Sequence, residues 1–208
     1  MQSVTYKLTE FFLIFIILPV SFALHYPFLI KACLAISGFI YVIYVLVKVE
    51  GNQFKLAPNI RWMSFWRAVF VKFLVIACLT IGYMLLTAKA ELFHVLYQQP
   101  KLWVIMLFAY AMFSVYPQEL IFRTLYFQRY ASLFTSRSLF VFINATVFSL
   151  AHIFYRNPLV LLITFLGGIL FALTYDKTKS TLLVSIEHAI YGCWLFTVGM
   201  GHMLGFPG

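Results

Sequence analysis

The sequence predicts an all-α fold: a polytopic membrane bundle of about seven transmembrane helices, with at most eight helices, built as one transmembrane domain over residues 1–208. Three observations predict it. Of the 208 residues, 63% are apolar and only 10% are charged, against about 45–50% and about 25% in soluble domains. The apolar residues gather in uncharged runs close to the ~20 residues that a bilayer crossing requires. The basic residues, which give a net charge of +9, fall between those runs instead of forming one patch. This composition excludes a disordered chain, a disulfide scaffold and a soluble enzyme with a charged surface. The scatter of bases reads as membrane topology, so the expected partner is the lipid bilayer and not nucleic acid.

Each element follows from its run. The first, residues 11–30, contains no Lys, Arg, Asp or Glu. It is long and lacks a small-residue cleavage site, so it is expected to be retained as a span and not removed as a signal peptide. The second uncharged run is 32–47. The interval 49–71 is the longest polar stretch. Within it, Arg61-Trp62-Met63-Ser64-Phe65-Trp66-Arg67 predicts an interfacial helix leading into the third run, 73–88, with Trp at headgroup depth. The remaining runs are 102–118, 138–155 and 157–175, and a last segment, 180–200, carries Glu187 and His188. Internal repeats, linkers and a soluble domain are not expected.

Lys7, Lys48, Lys55, Arg61, Arg67, Arg129, Arg137, Lys177 and Lys179 fall on one side of this topology. Lys31, Lys89, Lys101 and Arg156 fall on the other. The excess predicts an integral, multi-pass membrane protein with a cytoplasmic N-terminus. Cys33, Cys78 and Cys193 are widely spaced inside apolar runs, which predicts small buried residues and no metal or disulfide motif.

Charge within a bilayer costs free energy and needs a reason. Glu10, Glu50, Glu91 and Asp176 sit at span edges and are expected to be solvated end residues. Glu119 and Glu187 are not at edges, and Arg123 follows Glu119 by four residues. That spacing puts both on one helical face with the acid first, the favourable order. Its plainest use is a local ion pair that lets the helix insert. A functional use is an arginine that positions a carboxylate and keeps it ionised. His152 and His188 stand on two further spans, and inward polar residues from several helices are how bundles build sites. Glu187 and His188, being adjacent, point about 100° apart. His188 is assigned to the site, and Glu187 is expected to meet Tyr191 one turn on, or a neighbouring helix.

A carboxylate and two imidazoles permit several chemistries. They can hold a divalent metal such as zinc with an open water position. They can activate a water directly, with His stabilising an oxyanion. The two His can also ligate haem. Spacing alone does not choose among these.

Gln118-Glu119-Leu120-Ile121-Phe122-Arg123 resembles the Glu-Glu-x-x-x-Arg motif of the CPBP family, the CAAX-prenyl-protease and bacteriocin-processing membrane endopeptidases also called Abi proteins. Phe148-Ser149-Leu150-Ala151-His152 matches that family's Phe-x-x-x-His. Gly167-Gly168 and His188 resemble the segment that ends in its His-x-x-x-Asn/Asp. The resemblance covers about residues 112–195, within a motif-bearing half of about 102–200. It implies an intramembrane endopeptidase, described in the family as metal- or glutamate-dependent, acting on a membrane-associated peptide or protein. Carried over, the catalytic residues are Glu119, Arg123, His152 and His188. If a metal is bound, Glu119, His152 and His188 would hold it.

Two positions depart from the family pattern. Gln118 stands where the first motif Glu would be, and an amide can position a water but not take its proton. Gly192 stands where the Asn or Asp would be, which removes a group able to polarise a carbonyl. Takeover by Glu119 requires a rotated or locally broken helix, and Pro117 is placed to supply one. The competing expectation is a non-catalytic relative, an immunity or scaffold protein.

Overall fold

Helix starts in this chain carry ordinary capping chemistry. The Ser3 and Ser136 side chains accept from the backbone N–H groups of Tyr6 and Leu139. The Asn157 side chain accepts from Leu159 and Val160, with Pro158 supplying a first helical residue that has no N–H to satisfy. The computed structural model describes residues 3–52 and 60–205; the Lys55 used in orienting the chain lies outside them.

The described residues are mostly helical and contain no strand. We number the long helices α1 (Val4–Phe22), α2 (Phe28–Val49), α3 (Trp62–Thr87), α4 (Pro100–Arg129), α5 (Arg137–Leu150), α6 (Pro158–Thr178) and α7 (Thr181–Thr197). A turn and a short 3₁₀ segment, Ile153–Tyr155, extend α5. Among the described residues, six segments are long and apolar enough to cross a membrane: α1 to α4, Arg137–Tyr155 and α6. The seventh expected span is α7, a shorter helix of 17 residues. A glycine with positive φ, Gly199, precedes the 3₁₀ turn Met200–Leu204 that follows it.

The expected interfacial helix around Arg61–Arg67 is not a separate element. Trp62 begins α3, which continues unbroken for 26 residues. At 1.5 Å per residue that is about 39 Å, longer than the roughly 30 Å hydrocarbon core. Its first turns therefore supply the headgroup-level Trp without a second helix.

Close contacts group the chain into two compact units. The first comprises Met1–Lys55 and Pro117–Thr181, and so contains α1, α2, the second part of α4, α5 and α6. Its tightest seam is between α5 and α6. A Cβ on Gly168 would lie 2.9 Å from Ala145 Cα, so glycine is what allows the two backbones to approach. The Ser149 hydroxyl donates to the Leu161 carbonyl at 2.7 Å. Together the two contacts show α6 running back along α5.

The first unit also contradicts an expectation. Glu10 is not a solvated end residue: it is 6% exposed, paired with Arg129, and accepts from Tyr41 and from Tyr130 at 2.8 Å. Arg129, which the topology counted among loop bases, is fully buried and also bonds Glu50 at 2.7 Å. Burial, and then the Glu10 carboxylate, push the Tyr130 phenol above its usual range. Two carboxylates around one planar five-donor cation explain how these charges leave water. Phe15 packs edge-on against Tyr126 and Tyr130 beside them.

The second unit comprises Leu56–Tyr116 and Leu182–Gly208: α3, the first part of α4 and nearly all of α7. Side-chain bonds tie it together. Trp194 donates to Thr80 on α3 at 2.9 Å, and Trp103 on α4 donates to Thr197 at 3.0 Å. Tryptophan suits this task because it buries a large ring while its one N–H finds a partner.

Candidate active site

The first motif lies on an irregular part of α4. The α-helical turn Tyr116–Glu119 is flanked by π-helical stretches, Tyr110–Val115 before it and Leu120–Leu125 after it. Pro117 has no N–H for the Phe113 carbonyl one turn back, which accounts for the loosened winding before it. Wider turns rotate the residues that follow relative to a regular helix. The local break expected near Pro117 is therefore present, and a second one follows it. Glu119 is fully buried, whereas Gln118 is half-buried.

Arg123 is fully buried with Glu119, their Nε and Oε2 atoms 3.4 Å apart. The guanidinium carbon lies 4.6 Å from the Phe148 ring centroid and 5.8 Å from that of Phe171. Its Nη2 donates to the Gly168 carbonyl at 3.4 Å and Nη1 to the Phe122 carbonyl at 3.3 Å. Each sequence motif thus has a mechanical part here. The motif phenylalanine of α5 forms a face for the motif arginine of α4. The second glycine of α6 accepts from that arginine while letting α6 reach α5.

Asn144 was not singled out in the sequence. It is fully buried on α5, one turn before Phe148, and donates to the Phe122 carbonyl at 2.6 Å. Its signal was available: an amide in the middle of an apolar span. Asn144, Phe148 and His152 recur every four residues and share one face of α5 and its extension.

His152 stands just beyond the end of α5. Its Nδ1 lies 2.8 Å from the Phe148 carbonyl. A carbonyl only accepts, so Nδ1 carries a hydrogen and Nε2 is the ring nitrogen turned away from that carbonyl. The ring packs against Phe148 at 5.0 Å and stacks with Tyr155 at 6.1 Å. In the first unit, Glu119, Arg123, Phe148 and His152 form one continuous chain of contacts.

His188 belongs to the second unit. It is 6% exposed on α7, and its Nε2 lies 3.1 Å from the Tyr110 hydroxyl. Glu187 points elsewhere, as adjacency requires. It is fully buried, meets Tyr191 one turn on at 3.0 Å as the spacing predicts, and pairs with Lys72 of α3. The Tyr191 hydroxyl also lies 3.1 Å from the Val69 carbonyl. Lys72 is a partner that the sequence did not assign.

Among the described residues, no group of three or more His, Cys, Asp or Glu side chains is arranged to hold a metal ion. In the first unit, Glu119 is engaged by Arg123.

The class of protein is defined by these features: a multi-pass helical membrane protein with a buried Glu–Arg pair locked against a Phe-x-x-x-His helix. Residues 100–194 match the family model described as Rce1-like, type II CAAX prenyl endopeptidase. The matched region carries Glu119, Arg123, His152 and His188, and the family is the one that the motifs resemble. No curated protein and no solved structure matches the chain.

Proposed function

We propose that the protein is an intramembrane endopeptidase of the CAAX-protease type, which hydrolyses a peptide bond of a membrane-associated peptide or protein. The observation that carries this reading is the chain of contacts from the buried Glu119, Arg123 and Phe148 to the half-buried His152, in which a carboxylate and an imidazole are each oriented by a dedicated contact. In this reading Arg123 is a positioning residue that pairs with Glu119. Glu119 takes a proton from water as the water oxygen bonds to the substrate carbonyl carbon. His152, in its imidazolium form with a hydrogen on each ring nitrogen, donates through Nε2 to the oxyanion. The proton then passes to the leaving amine as the C–N bond breaks. His188 is assigned a part on its motif alone. In this reading the N-terminus is cytoplasmic, which the excess of bases on that side supports even without Arg129.

A second reading is favoured by Gln118 and Gly192: a relative that binds membrane peptides without cutting them. One experiment separates the two. The full chain, reconstituted in liposomes, is given a quenched-fluorescent peptide ending in a farnesylated CAAX sequence, and the same peptide without the lipid. Cleavage of either one, abolished by Glu119→Ala and by His152→Ala with insertion intact, supports proteolysis. Absence of cleavage by the folded wild type, or cleavage unchanged in both variants, overturns it. The two peptides also report whether the lipid is recognised.

A further inference from the structure

Gly192 is where the family motif would carry an Asn or Asp, one turn after His188. The space that such a side chain would enter is already filled. A Cβ built on Gly192 would overlap the Tyr110 hydroxyl, with the ring atoms Cε1 and Cζ next nearest at 2.4–2.5 Å. The same hydroxyl is 3.1 Å from His188 Nε2. The phenol ring is fixed from two sides, edge-on to His188 at 6.1 Å and to Phe196 at 4.7 Å. Tyr110 begins the first π-helical stretch of α4. All of these residues lie in the second unit.

We propose that Tyr110 is a positioning residue: its hydroxyl replaces, from the neighbouring helix, the polar group that Gly192 lacks, and it fixes the orientation and tautomer of His188. The glycine and the tyrosine are one device. A side chain at 192 excludes the phenol, and the phenol has a place only because 192 is glycine. A phenol hydroxyl can donate or accept, and as the stronger donor it gives its hydrogen to Nε2, which places the hydrogen of a neutral ring on Nδ1. The ring is therefore held in a single working form without an Asn or Asp on its own helix. The catalytic part of this inference rests on the proteolytic reading; the tautomer part does not.

The test uses the full chain in lipid with ¹⁵N-labelled histidine, the His188 signals being assigned by their loss in His188→Gln. The wild type is expected to show a single His188 tautomer. Tyr110→Phe, which removes only the hydroxyl, is expected to give a mixture of tautomers. Gly192→Ala is expected to do the same by displacing the phenol, and serves if Tyr110→Phe does not fold. If either folded variant leaves the His188 spectrum unchanged, the inference is overturned, whatever the cleavage assay shows. If the spectrum changes and the wild type cleaves nothing, Tyr110 keeps its role and the proteolytic reading falls. Where the wild type cleaves, Tyr110→Phe should lower kcat about 10- to 100-fold, the loss of one oriented hydrogen bond, with KM unchanged. The double substitution Tyr110→Ala with Gly192→Asn should recover most of that loss, because the amide then has room beside His188. A double variant no better than Gly192→Asn alone counts against the replacement.

Discussion

The guanidinium of Arg123 lies over the ring of Phe148, 4.6 Å from its centroid, so the arginine of the first motif and the phenylalanine of the second are in direct contact. A cation in apolar surroundings needs such a face as well as its counter-charge. Spacing in the sequence cannot reveal this, since the two residues sit on different helices.

Arg123→Lys should therefore not be a conservative change. A lysine ammonium is a point charge that cannot pair with Glu119, reach the Gly168 carbonyl and cover Phe148 together. Arg123→Ala leaves the Glu119 carboxylate buried without its cation, a loss of about 3–5 kcal/mol by analogy with broken buried pairs. Thermal unfolding in detergent should rank the wild type above Lys and Lys above Ala. A Lys variant as stable and as active as the wild type would show that the planar fork has no role.

Gly168 makes the α5–α6 seam possible, and Ala145 is what an added methyl group would strike. Gly168→Ala should destabilise the protein by roughly 1–3 kcal/mol, the usual cost of overpacking. Ala145→Gly in the same chain should return part of that stability. A Gly168→Ala protein with the unfolding midpoint of the wild type would contradict the close approach.

The Glu10–Arg129–Glu50 cluster supports the fold in a different way. Arg129→Met strands two carboxylates, one of them almost wholly buried, and should lower stability by about 3–5 kcal/mol. Adding Glu10→Gln to Arg129→Met should reverse part of the loss by removing the stranded charge. An additive outcome, in which the second substitution only worsens the first, would show that the pair is not coupled.

The cluster also marks what the sequence could show. Composition and uncharged runs were enough for an all-helical membrane protein and for most spans, because bilayer crossing imposes length and apolarity directly. The Glu119–Arg123 pair and the Glu187–Tyr191 contact were legible because one-turn spacing on a helix fixes proximity. Glu10, Arg129 and Lys72 were misread or left unassigned because their partners come from distant parts of the chain. The unbroken start of α3 hid behind its charges, which read as an interval when they are the ends of a long helix. The π-helical turns on either side of Tyr116–Glu119 have no pattern of their own beyond Pro117. Asn144 was visible and was overlooked.

The half-buried Gln118 and the fully buried Glu119 differ in exposure, and Glu119 is paired with the motif arginine. The most direct test compares them in one cleavage assay, with the full chain in liposomes and whichever of the two quenched peptides the wild type cuts. Glu119→Gln removes the base while keeping shape, and should lower kcat by at least about 100-fold, the usual contribution of a general base. Gln118→Ala should keep kcat within about tenfold of the wild type. Full activity in Glu119→Gln, or a loss that follows residue 118 instead, would contradict the assignment of Glu119 as the working carboxylate.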